Sequence, residues 1–276
     1  MAFVEEFSKI ENRDELLKIN PFLKHSIDLS PFINGSILLA QPGIPHSTLD
    51  SVSLNPQRVP DLSALNSSEG ALKRLFDDLN TRLLFEAGSQ VLRGWFPQNP
   101  LYTFRTTGGL SGKSLAKGAS GMRRTISYDD MIRLNEKFDI LGLPSNGRFL
   151  VAHRSMLPDK WASYKNSHWE SDVDLHGCYA TVLGFNIFIR PAKLVCDNSK
   201  SPILKDMEAP DDASDNLAAI AWHSSCAGYA VDRVQWFENL GSPEYLGDVI
   251  AARVQAKGVL LTPSMKGTVA IIQSGS

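Results

Sequence analysis

The chain has 276 residues, of which 43% are hydrophobic and 21% charged, with a formal net charge of -2. That composition excludes an intrinsically disordered chain, and the near-neutral charge excludes a general attraction to nucleic acid or acidic membranes. No apolar run approaches the roughly 20 residues needed to span a bilayer, and the start, MAFVEEFSKIENRDE, lacks the apolar core of a secretory signal. Three cysteines, Cys178, Cys196 and Cys226, are an odd number and imply no disulfide framework, so a reduced protein made inside a cell is expected.

Residues 1–27 read as a short helical arm, with Leu16, Leu17 and Ile19 on a weak apolar side and Pro21 as its breaker. Between 29 and 65, Pro31, Pro42, Pro45, Pro56 and Pro60 interrupt short apolar pieces, which allows only brief strands and loops. A stretch of that kind points to a linker or to a surface that binds something. The longest helix is expected over 68–93. Leu72, Leu75, Phe76, Leu79, Leu83 and Val91 share a face opposite Lys73, Arg74, Asp77 and Asp78. It would be roughly 40 Å long, and Pro97 stops it after Trp95 and Phe96.

Residues 101–126, rich in Gly, Ser, Lys and Arg, read as strand, flexible loop, strand. Over 127–153 the pattern is helix, hard stop, strand. Ser127 is the expected N-cap, Asp129 and Asp130 complement the helix dipole, and Met131, Leu134, Phe138 and Leu141 form the apolar stripe. Gly142 and Pro144 end that helix, Asn146-Gly147 turns, and FLVA enters as a buried strand. Pro158 fits the first turn of a short helix through Tyr164. CYATVLGFNIFIR, over 178–190, is strand-like with a bulge or tight turn at Gly184, and the acidic tract 197–216 reads as an exposed loop. The remainder reads as AAIAWH, a short small-residue helix SSCAGYAV, then RVQWFEN and further strands with glycines at the turns. Helices and strands interleave without βαβ regularity, which places the chain in the α+β class.

Candidate chemistry starts with TGGLSGKS, 107–114. A phosphate-binding loop needs four residues between its first Gly and the Gly-Lys-Ser, so that consecutive backbone N–H groups surround the phosphates. Here three residues separate Gly108 from Gly112, which removes a donor and misplaces Lys113. Metal ligation would draw on His176 with Cys178, His223 with Cys226, and His168, but the paired spacings of structural zinc sites are missing. Ser224, Ser225 and Cys226 follow His223 without the strand-turn-helix elbow a nucleophile needs, and His153 reads as a strand-end histidine. The basic cluster Lys113, Lys117, Arg123 and Arg124 reads as a solvated face or a subunit contact. These patterns support no enzyme, and no catalytic, cofactor-binding or metal residue is designated.

The order of segments carries more information than any motif, and it resembles the major capsid proteins of tailed bacteriophages, the Hong Kong 97 fold. DLSPFINGSILLAQPGI (28–44) resembles the entry to that family's extended loop, and the 68–93 helix ending in GWFP resembles its spine helix. The run from Arg105 to Leu157, with its LP-x-x-GR turn, is similar to the entry into the axial domain. VLGFNIFIR (182–190) resembles the strand that follows, and the last stretch to 273 the closing segment. The resemblance implies an α+β Hong Kong 97-like capsid fold with a long spine helix, a peripheral domain sheet and an axial domain. Its expected divisions are an N-terminal arm 1–27, an extended-loop segment 28–66, a peripheral domain 67–104, an axial domain 105–235, and a return to the peripheral domain over 236–276. It further implies self-assembly into pentamers and hexamers of an icosahedral head that encloses double-stranded DNA without sequence specificity. A portal and scaffolding or decoration proteins would be the other partners. Production in the host cytoplasm, no cofactor and no membrane are implied as well. Alternatives are an encapsulin-like compartment shell and, from another class, a nucleotide-binding enzyme using the Gly108–Ser114 loop.

Overall fold

The computed structural model describes residues 12–30, 50–53, 57–59, 69–97, 99–112, 116–158, 178–191, 194–199, 202–205, 209–232, 234–242, 247–261 and 267–275. Helix α1 (Asn12–Ile19) is followed by a 3-10 turn (Pro21–His25) and strands β1 (Ile27–Asp28), β2 (Asp50–Ser53) and β3 (Gln57–Val59). Helix α2 (Glu69–Trp95) leads to β4 (Thr103–Arg105), β5 (Leu110–Ser111) and β6 (Arg123–Arg124), then helix α3 (Tyr128–Ile140). The rest is sheet: β7 (Arg148–Ala152), β8 (Cys178–Val182), β9 (Phe185–Ile189), β10 (Leu194–Cys196), β11 (Asn216–His223), β12 (Ala227–Val231), β13 (Gln235–Ser242), β14 (Gly247–Leu260) and β15 (Thr268–Ile272). The expected short helix 158–164 lies, beyond Pro158, outside the described residues.

Helix α2 is long because its apolar residues keep helical spacing throughout: Phe76, Leu79, Leu83, Leu84, Ala87, Val91, Leu92 and Trp95 are all buried. It lies on β14 so closely that a Cβ on Gly258 would stand 1.9 Å from the Val91 carbonyl oxygen, and one on Gly94 2.2 Å from that of Gly258. Glycine at both positions is therefore a packing requirement. Trp95 Nε1 donates to the Gly228 carbonyl at 2.7 Å, which ties the end of α2 to β12.

β14 organises a six-stranded sheet. Ala256 faces both Val231 of β12 and Asp50 of β2, and Arg253 faces both Gln235 of β13 and Ser53 of β2. β12 and β13 therefore run in succession along one edge of β14, while β2 and β3 occupy the other. In effect 227–260 is one long hairpin. Its first arm includes the stretch expected as a small-residue helix, which is instead a turn followed by β12. Ala227 and Tyr229 join the main core while Ala230 packs with Leu29 and Val259, a period of two that only a strand produces.

The seven-stranded sheet runs β4-β15-β11-β7-β9-β8, with β10 beside the start of β11. Every residue of β11 is buried, since both faces are covered. Ala218, Ile220 and Trp222 meet α2 and the N-terminal turn, whereas Leu217, Ala219 and Ala221 meet α3. The result is helix, sheet, helix, in three layers.

The described part of the N-terminal arm, 12–27, packs inward: Leu16, Phe22 and Leu23 are buried, and Phe22 sits edge-on to Trp95 and Trp222 at 6.2 and 6.1 Å. β12 already belongs to the six-stranded sheet, and β15 returns to the seven-stranded one between β4 and β11.

The unit over 127–153 forms as its residues require. Ser127 Oγ accepts from the Asp130 amide at 3.1 Å and Asp130 accepts from the Ser127 amide at 2.9 Å, a reciprocal capping box. Gly142 and Gly147 adopt φ of 70° and 78°, the left-handed conformation that closes a helix and a turn. Arg148 fixes the junction. Buried to 1% exposure on the core side of the turn, it donates to Pro144 O at 2.8 Å, Leu143 O at 2.5 Å, Asn135 Oδ1 at 2.5 Å and Asp139 Oδ1 at 2.6 Å.

Candidate functional site

The glycine loop is used up internally. Gly108 N–H donates to Thr125 O at 3.1 Å, Thr125 N–H to Gly109 O at 2.9 Å, and Arg124 to Gly108 O at 3.1 Å. Thr107 is held by Asp130 through both its amide and its hydroxyl, at 2.9 Å each. The segment is a two-stranded ribbon, β5 with β6, hooked to the cap of α3, and these amides do not converge on an anion. The Gly108 amide is therefore already committed within the ribbon; Lys113 and Ser114 lie outside the described residues.

The basic cluster is likewise divided. Arg123 is buried in a cage of carbonyls, those of Ser120 at 2.8 Å, Met122 at 3.2 Å, Ala213 at 3.0 Å and Asp215 at 3.1 Å. Lys117 meets Asp211 at 3.6 Å. The acidic tract is therefore not wholly exposed. Asp215 is buried and bound to Lys205 at 2.7 Å, so the stretch is pinned to the ribbon from behind.

His223 uses both ring nitrogens. Nδ1 accepts the Ser225 amide at 3.2 Å, so Nε2–H donates to Asn146 O at 2.9 Å. His153 repeats the first half of this at the end of β7, accepting the Ser155 amide at 3.2 Å. Both histidines cap turns. The three cysteines are free and buried, and burial pushes the Cys196 thiol up to about 12, which removes nucleophilic thiolate. His168 and His176 lie outside the described residues, and among the described residues no three His, Cys, Asp or Glu side chains are grouped as metal ligands.

The fold also brings the two flanks of 31–49 onto one sheet. Ser30 and Asp50, which flank 31–49, stand at the same level of the six-stranded sheet. Ser30 Oγ accepts the Val231 amide at 3.1 Å, and Val231 faces Ala256, which faces Asp50. At three strand spacings the two flanks are about 15 Å apart. They are firmly tied: Arg13 meets Asp28 at 2.7 Å, and burial first, then Asp28, pushes the Tyr229 phenol up to about 12. Sequence reasoning missed this anchoring, because β1 and β2 pair with β12 and β14, which lie at the far end of the chain. Among the described residues no helix is long and apolar enough to cross a membrane.

No family model matches the chain, and no curated protein matches it either. Solved structures do. The capsid of Ralstonia phage GP4 superposes with a TM-score of 0.50 at 10% identity, covering 83% of this chain and 74% of that one. The virus-like particle of Pyrococcus furiosus gives a TM-score of 0.50 at 11% identity, covering 96% of this chain and 98% of that one. The fold is that of a phage capsid protein. The capsid fold bears out the α+β expectation, and the spine helix of the resemblance corresponds to α2 on its β14 hairpin.

Proposed function

We propose that the chain is a structural shell subunit that self-assembles into a closed icosahedral phage head around double-stranded DNA. The observation that carries this reading is the shared capsid fold over most of both chains. The anchored flanks of 31–49 and the long β14 hairpin support it. Identical subunits would make contacts through such segments symmetric. In this reading the unit of α2 and the six-stranded sheet is the peripheral domain, and the seven-stranded sheet with α3 is the axial domain. A net charge of -2 suits enclosure of DNA without tight or sequence-reading binding. A portal and scaffolding or decoration proteins would complete the head, and the particle itself would be the protein's final location. No chemical step is assigned to the chain.

Light scattering and negative-stain microscopy on purified protein test this directly. Large closed particles are expected, and a strictly monomeric species at every concentration and salt would sink the proposal. One alternative keeps the fold and changes the cargo, a protein compartment in the manner of an encapsulin. Nuclease-protected DNA inside the particles supports the head; protein cargo without DNA supports the compartment.

A further inference from the structure

We propose that His25 is a proton-sensitive catch on a strap, residues 12–30, that joins the two sheets. Acidification loosens the strap from the seven-stranded sheet while its hold on the six-stranded sheet persists. The catch belongs to the folded subunit, so it is independent of the shell reading.

The strap is held on three sides. β1 pairs in parallel with β12, Ile27 with Gly228 and Asp28 with Tyr229, so its end belongs to the six-stranded sheet. Asn20 Nδ2 donates to the Leu84 carbonyl of α2 at 3.0 Å, and Phe22 packs edge-on to Trp95. The 3-10 turn meets the seven-stranded sheet. His25 lays its ring on Phe149 of β7, with 4.6 Å between centroids and 16° between planes, and leans on Phe188 of β9 at 5.4 Å. Its carbonyl accepts from the Trp222 indole of β11 at 3.3 Å. Three strands thus converge on one residue of the strap.

That residue is titratable. A neutral imidazole loses little by lying on a phenyl ring, whereas an imidazolium needs water or acceptors for two N–H groups. In a nearly parallel stack those bonds run along the Phe149 face instead of into it, so the second proton finds no acceptor there. The surrounding charges do not compensate. Lys24, beside it on the turn, is positive, and so is Arg190, which follows Phe188 and lies over the Phe22 ring at 5.7 Å. Asp28 is engaged by Arg13 at 2.7 Å, and Glu86 of α2 acts on Arg190. Arg148 and His223, next to Phe149 and Trp222, alternate to the opposite face, where they hold Asp139 and Asn146 O. Burial, then Lys24, accordingly holds the His25 pKa below its ordinary 6.5. The undocked strap binds the proton more readily, and falling pH favours undocking. The β1 ladder and the Asn20 bond do not involve the ring, so the response is local.

Hydrogen exchange followed by mass spectrometry on the full chain tests this. With intrinsic rates divided out, residues 20–26 should lose about five- to tenfold of their protection between pH 7 and pH 5. One proton can supply up to about tenfold per pH unit. Helix α3 and β14 should keep their protection. His25→Phe and His25→Gln, one able to stack and one not, both remove the titration, and in each the protection of 20–26 should be equal at the two pH values. The midpoint of the parent imidazole, followed by NMR, should fall below 6.5. Four results would each overturn the catch: protection of 20–26 that ignores pH in the parent, a loss shared equally by α3 and β14, a pH response that survives in both variants, or a midpoint at or above 6.5.

Discussion

Arg148 shows how much one side chain can hold. Its guanidinium collects the carbonyls of Leu143 and Pro144 together with Asn135 and Asp139, so it caps the C-terminal end of α3 and fixes the entry to β7 at once. Arg148→Ala would remove the shared donor of two carbonyls, an amide oxygen and the Asp139 carboxylate, and leave a cavity where the buried guanidinium sat. A loss of about 2–4 kcal/mol is expected, read as a lower denaturant midpoint with unchanged slope. His25 offers a pH handle. Its ring stacks on Phe149 at 4.6 Å and leans on Phe188 at 5.4 Å, and burial, then Lys24, lowers its pKa from 6.5. Because the unfolded chain takes up this proton more readily than the folded one, His25 adds stability above pH 6.5, and that contribution fades as the pH falls below it. The thermal midpoint of His25→Phe should accordingly vary less between pH 7 and pH 5 than that of the parent.

At the scale of elements, α2 and β14 depend on each other. The close approach at Gly258 and Gly94 leaves no room for a methyl group, so Gly258→Ala should push the helix off the strand. A cost of about 3 kcal/mol or more is expected, as for overpacking against backbone that cannot move aside, with a drop of several degrees in calorimetry. A substitution at Gly109, where an added Cβ meets nothing within 4 Å, serves as the control. The α3 unit was legible in the sequence because all its determinants are local: Ser127, the acidic first turn, the apolar stripe, Gly142 and Pro144. The extent of α2 was legible for the same reason, its spacing being sustained over six turns. The stretch 224–231 was misread as helix because Ser, Cys, Ala and Gly give weak local signals. What makes β12 a strand is its ladder with β14, twenty-five to thirty-three residues further on.

For the whole molecule, two features separate folding from assembly. β2 and β3 are paired to β14, so removing all of 30–60 would take two strands from the sheet. Replacing 33–47 alone by a short Gly-Ser linker keeps both flanks. The expected outcome is a folded subunit with a parental thermal midpoint that no longer forms particles in light scattering; particles of normal size would dismiss a role for that segment in assembly. The described candidate residues, by contrast, are already engaged within the folded chain. Gly108, Arg123 and His223 all turned out to serve turns and strand pairs, because a backbone N–H or a guanidinium that already has a partner cannot also cradle a ligand.

The sequence by itself determined the α+β class, the long helix, the capped α3 with its stop, and the order of segments that resembles a phage capsid protein. Those features depend on periodicity and on neighbours within a few residues, which any reader of the chain possesses. Only the tertiary structure decided that residues 12–30 pack into the core, that 227–260 is one long hairpin, that 268–272 joins the seven-stranded sheet, and that Ser30 and Asp50 share a level of the other. Each of these is a pairing across a long stretch of chain, fixed by which hydrogen-bond edges and apolar faces remain after the local elements have formed, and no local pattern encodes it.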